Sequence, residues 1–227
     1  MDVLSLLFPK FCVQCRRRGE YLCTKCFAFI DFLPTLICAV CSKPAIDGIT
    51  HPGCRTRYTI DGVFASVAYK GSIKKLLYQY KFSPYLSQLT PFLSELMYEG
   101  VIQFEPIIKI IEKNTALVPI PLTKKKARQR GYNQAELLAQ ELGKKLQLPI
   151  EKCLIRRSET KPQSELSREE RRENIKNAFS VAAVPSQSTI FLVDDIVTSG
   201  ATFNEAAKVL KKNGAKIVWG VALAHGQ

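Results

Sequence analysis

The sequence predicts an α/β protein, with a largely parallel β-sheet flanked by helices and a small cysteine-rich domain in front of it. From residue 58 onward, apolar runs typical of strands alternate with amphipathic segments typical of helices. This alternation indicates a mostly parallel sheet. Seven of the eight cysteines lie in the first 54 residues. We therefore expect one domain over residues 1–57 and a second over residues 58–227.

The elements of the second domain follow from hydrophobic periodicity. The expected strands are residues 62–69, 115–121, 188–195 and 216–225. The expected helices are residues 72–82, 84–99 with a break at Pro91, 132–146 and 202–215. Residues 188–195 are predicted to be fully buried, because their apolar run does not alternate with polar residues. Gly214 provides a stop signal for the last helix.

The N-terminal domain contains four pairs of potential metal ligands, each with two residues between its members. The pairs are Cys12/Cys15, Cys23/Cys26, Cys38/Cys41 and His51/Cys54. A single pair could be a redox motif, but four in series favour metal binding. Two such turns complete a tetrahedral shell without an open position, which is typical of structural Zn²⁺. Sequential pairing of the turns is simplest; an interleaved pairing, or loss of one ion, stays open.

The charge is strongly basic, at +13 from 33 Lys and Arg against 20 Asp and Glu. Such a surplus favours polyanionic partners. Its densest runs are "KKKARQR", residues 124–130, and Arg16–Arg18. In the first run, the candidate nucleic-acid contacts are Lys124, Lys125, Lys126, Arg128 and Arg130. Tyr132 follows this run and is the residue we would test for base stacking.

Nothing in the sequence indicates a membrane span or a signal peptide. No apolar run approaches the roughly 20 residues that a spanning helix needs. The first residues, "MDVLSLLFPKFC", lack the basic start of a signal peptide. We therefore expect a cytoplasmic location, or one at the inner face of the cytoplasmic membrane.

The segment "IFLVDDIVTSGAT", residues 190–202, carries the strongest functional signal. Its apolar strand brings Asp194 and Asp195 to the carboxyl edge of the sheet, where ligands of such sheets bind. We expect both carboxylates to face solvent there and to suit sugar hydroxyls. A loop of small residues and the start of a helix follow, and both favour a phosphate. The loop residues are Thr198, Ser199, Gly200, Ala201 and Thr202.

This segment resembles the phosphoribosyl pyrophosphate signature of type I phosphoribosyltransferases. The whole chain resembles the ComF/ComFC competence family, also called GntX-like proteins, in its four pairs of potential metal ligands and in three further segments. These are "VPIPL" (118–122), "RQRGYNQAELLAQEL" (128–142) and "TKPQSELSREERRENIKNAF" (160–179).

The resemblance implies a zinc ribbon joined to a type I phosphoribosyltransferase-like domain that binds phosphoribosyl pyrophosphate with Mg²⁺. Asp194 and Asp195 would bind the ribose, and the loop 198–202 would surround the 5′-phosphate. Pro119 and Ile120 would lie at the pyrophosphate loop. Residues 157–163 would lie near the loop that covers the ligand.

Three functions remain open at this stage. The resemblance favours handling of incoming single-stranded DNA during natural transformation. A working phosphoribosyltransferase in nucleotide salvage, releasing pyrophosphate, is the alternative. A zinc-held adaptor that recruits a competence helicase or an inner-membrane DNA channel is the third.

Overall fold

The computed structural model describes residues 9–32, 35–82, 86–111, 114–157 and 168–226. Its strands are β1 Gly62–Ala68, β2 Thr115–Pro119, β3 Leu154–Arg156, β4 Phe179–Val181, β5 Thr189–Val197 and β6 Ile217–His225. Its α-helices are α1 Thr24–Phe27, α2 Gly71–Lys81, α3 Thr90–Gln103, α4 Glu105–Ile108, α5 Lys124–Arg130, α6 Gln134–Leu146, α7 Arg168–Ile175 and α8 Ala201–Lys212. Within these ranges, every helix is too short or too polar to cross a bilayer.

The main sheet has four parallel strands in the order β1-β6-β5-β2, which confirms the predicted fold class. Side chains alternate along each strand, and they fill a hydrophobic core on each face. Helices α2, α3 and α6 cover the first core, beside Phe191 and Val193. Helix α8 covers the second core, beside Ile190 and Leu192. Strands β3 and β4 form a separate antiparallel pair.

Several element bounds differ from the sequence prediction. Strand β5 continues to Val197, because Ile196 and Val197 still pair with β6. Helix α3 begins at Thr90, with Pro91 in its first turn. Proline is tolerated there because the first N–H groups of a helix have no intrahelical partner, so Pro91 starts this helix and does not break it. Helices α5 and α7 and the β3–β4 pair were not predicted.

The cysteine-rich segment packs on the second domain through shared hydrophobic cores. Leu22, Cys26 and Ile30 are buried in the same core as α2 and α3. At the end of β1, the Ala68 N–H donates to the carbonyl of Asp31 in the cysteine-rich segment, with an N···O distance of 2.8 Å. The division at residue 57 stays a prediction, and we expect the two parts to support each other's stability.

Candidate functional site

A small polar cleft, open to solvent, lies at the carboxyl end of β5. Its lining is Asp194 together with an unbroken run that starts two residues later: Ile196, Val197, Thr198, Ser199, Gly200, Ala201, Thr202 and Phe203. Gly200 has a φ of 75° and is the N-cap of α8. Glycine adopts this left-handed backbone without a steric penalty, and the turn lets α8 start directly behind the loop. The predicted phosphate loop and Asp194 therefore share one cleft.

The two adjacent aspartates have different environments. Asp194 keeps partial exposure and lines the cleft. Asp195 is 3% exposed, and its Oδ1 forms an ion pair with Lys81 Nζ at 2.8 Å. The expectation that both carboxylates face solvent is therefore wrong for Asp195, because neighbouring residues of a strand project to opposite faces. Within the described part of the chain, Asp195 Oδ2 has no hydrogen-bond partner.

Crowding of the two carboxylates perturbs the titration of Asp194. Burial raises its pKa from the ordinary 3.8, and the charge of Asp195 raises it further, to about 7. Lys81 acts in the opposite direction, and so does the main-chain N–H of Asp195, which donates to Asp194 Oδ1 at 2.8 Å. A cationic ligand beside Asp194 would favour its ionised form.

Pro119 and Ile120 lie beside the cleft but do not line it. Pro119 is paired in register with Val193, and the Ile120 N–H donates to the Val193 carbonyl at 2.9 Å. Both residues are buried. They fix the end of β2 next to the end of β5. Of residues 157–163, only Arg157 lies within the described ranges, where its N–H donates to the Ala178 carbonyl.

The segment 130–134 forms a rigid corner between α5 and α6. Gly131 ends α5 with a φ of 75°. The Asn133 side chain accepts from the Ala135 N–H, so it caps α6. Tyr132 Oη and Gln134 Nε2 both donate to the Tyr80 carbonyl, at 2.6 and 3.3 Å. No role for this segment followed from the sequence alone; the structure shows that it anchors the last turn of α2, next to Lys81.

The basic run 124–130 forms helix α5. Thr123 caps this helix by accepting from the Lys126 N–H at 3.4 Å. Lys124, Lys125 and Arg128 are exposed, and in the described ranges they take part in no salt bridge. Their charges are thus directed into solvent close to the carboxyl edge of the sheet.

An exposed aromatic pair lies beside this helix. Tyr78 and Phe82 are 58% and 44% exposed, and their ring centroids are 4.9 Å apart. The Arg130 guanidinium lies 5.6 Å from the centre of the Phe82 ring. Tyr132 is a weaker stacking candidate than the sequence suggested, because its ring packs against Tyr80. The basic and aromatic side chains meet at the end of α2.

The potential metal ligands form two groups, and each group combines two pairs that are consecutive in the sequence. The first group is Cys12, Cys15, Cys23 and Cys26, and the second is Cys38, Cys41, His51 and Cys54. Within each group, all ligand atoms lie within 4.8 Å of one another. Tetrahedral Zn²⁺ with Zn–S bonds of about 2.3 Å places two sulfurs about 3.8 Å apart. The Sγ atoms of Cys15 and Cys23 are 3.6 Å apart, so this group fits a structural zinc ion.

Local hydrogen bonds favour the thiolate form of Cys12 and orient His51, whereas burial raises the pKa of Cys26 to about 12 and that of Cys54 to about 11. Burial alone would raise the pKa of Cys12, but main-chain N–H groups, those of Cys15 and Cys23 foremost, lower it to about 6. In the second group, His51 Nδ1 lies 3.3 Å from Cys41 Sγ, and His51 Nε2 lies 3.0 Å from the Pro44 carbonyl. A carbonyl partner on the second ring nitrogen is usual for zinc-binding histidines. Histidine therefore suits the position that breaks the cysteine pattern.

Two family models match the chain, one in each of the two parts of the fold. The description "double zinc ribbon domain" matches residues 3–55. The description "phosphoribosyl transferase domain" matches residues 128–226, which include the cleft. The cysteine groups and the parallel sheet agree with these matches.

Curated relatives extend the match over nearly the whole chain. The "DNA utilization protein YhgH" of Escherichia coli K12 is 30% identical over 220 residues, or 94% of this chain and 96% of the relative. The "Competence protein F" of Haemophilus influenzae is 42% identical over 115 residues, which are 48% of this chain and 50% of that protein. The "Competence protein ComFC" of Bacillus subtilis is 27% identical over 86% of this chain and 80% of the relative. The chain therefore belongs to the ComF/ComFC/YhgH family, which joins an N-terminal double zinc ribbon to a phosphoribosyltransferase domain.

Proposed function

We propose that this protein handles single-stranded DNA during natural transformation or DNA utilization, and that its cleft binds phosphoribosyl pyrophosphate with Mg²⁺. One observation carries the proposal. The end of α2 joins the carboxyl end of β5, where the cleft lies, to the basic surface: Lys81 pairs with Asp195 in β5, and the next residue, Phe82, contacts Arg130 of α5. The names of the relatives refer to competence and DNA utilization, in agreement with a polyanion at this edge.

In the proposed ligand site, the phosphate lies against the loop 198–202. Gly200 lets the main chain approach an anion closely, and the start of the 12-residue helix α8 adds favourable partial charge. Asp194 is the carboxylate that faces the cleft, so it is our candidate for the ribose hydroxyls and for the vicinity of Mg²⁺. Asp195 acts from the opposite face of β5, where it holds Lys81 at the end of α2.

In the proposed DNA surface, α5 supplies charge and α2 supplies stacking. Lysine and arginine side chains follow a phosphate backbone without reading sequence, and aromatic rings stack on unpaired bases. Phe82 contacts Arg130 of α5, and Tyr78 packs against Phe82, so these two exposed rings are the stacking candidates. Replacing both with alanine should weaken binding of oligothymidylate with little change in its salt dependence, because stacking is not electrostatic.

Calorimetry with phosphoribosyl pyrophosphate and MgCl₂ tests the ligand site. The wild type should bind, and Asp194→Asn should bind at least about tenfold more weakly, since charged hydrogen bonds contribute roughly 1.5–3 kcal/mol. Asp31→Asn is the control, because it removes the same charge from an exposed position. Equal affinities of wild type and Asp194→Asn would contradict the assigned site.

The same preparations separate binding from catalysis. We expect the ligand to remain intact when nucleobases are added. Release of pyrophosphate with any of the nucleobases would replace the present proposal by phosphoribosyl transfer. Binding of DNA by the wild type would argue against a role as a protein adaptor alone.

A further inference from the structure

The second metal group touches the loop of the cleft directly. Ala39 lies in the turn between Cys38 and Cys41 and is 1% exposed. A Cβ atom on Gly200 would lie only 2.5 Å from both Cα and Cβ of Ala39. No real side chain tolerates this distance, so the loop reaches the turn because residue 200 is glycine. The main chains of loop and turn therefore pack in contact.

A hydrogen bond fixes the same contact. Ser42 follows Cys41, is 8% exposed, and donates from Oγ to the Ser199 carbonyl at 3.0 Å. Carbonyl and N–H groups point to opposite sides of a trans peptide. The bond from Ser42 therefore also fixes the orientation of the Gly200 N–H, which belongs to the loop of the proposed phosphate site.

Ser42 is itself held from two directions. Its N–H donates to the Cys38 carbonyl at 2.7 Å, which closes the turn that bears the metal ligands. Arg172 of α7 donates from Nη2 to Ser42 Oγ at 3.1 Å. A hydroxyl has one proton to donate and can accept as well. Arg172 thus leaves the serine proton for Ser199.

We propose that the second metal group, Cys38, Cys41, His51 and Cys54, is a support of the phosphate loop, and that Ser42 is the positioning residue that transmits this support. This inference rests on the proposed binding of phosphoribosyl pyrophosphate. The metal holds both ends of the turn that carries Ala39, and it places Ser42 against Ser199. Loss of this metal should loosen the loop and lower its affinity for phosphate.

The two metal groups provide an internal comparison. Cys12, Cys23 and Cys26 belong to the core on the α3 face of the sheet. Ala39 belongs to the core on the opposite face, together with Ala201 and Phe203 of α8. Removing a ligand from the first group should therefore leave the loop intact.

Calorimetry with phosphoribosyl pyrophosphate and MgCl₂, on the full chain, tests the support. Ser42→Ala should bind about 2- to 10-fold more weakly than wild type, the range expected for loss of the neutral hydrogen bond to the Ser199 carbonyl, which is the one that reaches the loop. Amide hydrogen exchange in residues 198–203 should become faster in this variant, even without ligand. Ser66→Ala is the matched control, because Ser66 is buried and its hydroxyl donates to the Met97 carbonyl in α3.

A second pair of variants tests the metal itself. Cys41→Ser and Cys15→Ser should each lose one zinc ion by metal analysis, and only Cys41→Ser should weaken binding and accelerate exchange in the loop. The second metal group does not support the phosphate loop if Ser42→Ala matches Ser66→Ala in both ligand affinity and amide exchange. The same conclusion follows if the two cysteine variants behave alike. A wild type that binds no ligand refutes the proposed function itself; unchanged loop exchange in Ser42→Ala refutes the support independently of any ligand.

Discussion

Replacing Lys81 with methionine should destabilise the protein by about 3 kcal/mol. Removing one partner of a buried ion pair costs about 3–5 kcal/mol, because the remaining charge loses its compensation. Lys81 and Asp195 have side-chain exposures of 21% and 5%, so the pair is mostly buried and the lower end of this range applies. Asp195 Oδ2 already lacks a hydrogen-bond partner in the described ranges, and methionine would leave Oδ1 in the same condition.

Thermal unfolding measures this cost. For a chain of 227 residues, about 3 kcal/mol corresponds to a decrease in Tm of roughly 6–12 °C. Lys109→Met is the control, because Lys109 pairs with Glu105 at exposures of 70% and 74%, and exposed pairs contribute less than about 1 kcal/mol.

The charge-free double variant completes this experiment. Lys81→Met with Asp195→Asn should be more stable than Lys81→Met alone, since no unpaired carboxylate remains in the interior. If Lys81→Met and Lys109→Met lower Tm equally, the ion pair does not stabilise the edge as described.

Two further predictions concern titration and metal. Because folding raises the pKa of Asp194 from 3.8 to about 7, its stabilising contribution is present below pH 3.8 and is lost as the pH rises through 7. Asp194→Asn should therefore gain stability relative to wild type between pH 4 and 7, by a few kcal/mol at most; a pH-independent difference in urea unfolding would contradict this. Protein purified without chelator should contain two zinc ions per chain, one for each group, and metal analysis that finds none would refute the zinc ribbons.

The fold was predictable where the pattern is local. The apolar run before Asp194 identified β5, and the spacing of the cysteines identified both metal groups. The end of β5 was not predictable, because Ile196 and Val197 join the strand through pairing with Ala224 and His225. Only the neighbouring strand makes that extension favourable.

Helix α5 shows a second limit of prediction from the sequence. The run 124–130 has no apolar face, so hydrophobic periodicity gives no signal for a helix. Thr123 and Gly131 supply the cap and the left-handed stop, and these two residues were the available local signal. From the sequence, this run was singled out for its charge, as a candidate nucleic-acid contact, and its helical conformation was not predicted.

The long-range contacts that organise the site could not be predicted from the sequence. Lys81 meets Asp195 across 114 positions, and Ser42 meets Ser199 across 157. Serine and lysine are common surface residues, and the sequence around Lys81, Ser42 and Ser199 does not indicate that they form these contacts. Their roles follow from the packing of α2 and of the second metal group against the carboxyl edge of the sheet.

The salt dependence of DNA binding tests the central claim most directly. Fluorescence anisotropy of a labelled oligothymidylate, measured over a series of KCl concentrations, should give a log–log slope that reports the phosphates contacted, at about −0.7 each. Replacing Lys124, Lys125 and Lys126 with alanine should weaken binding and flatten this slope by roughly two units.

The control in this measurement removes the same charge elsewhere, through alanine at the exposed residues Lys109, Lys144 and Lys176. It should leave the slope close to that of the wild type. A triple variant of α5 that keeps both the wild-type affinity and the wild-type slope would contradict the assignment of this edge to DNA, and Arg16–Arg18 would then be the next surface to test.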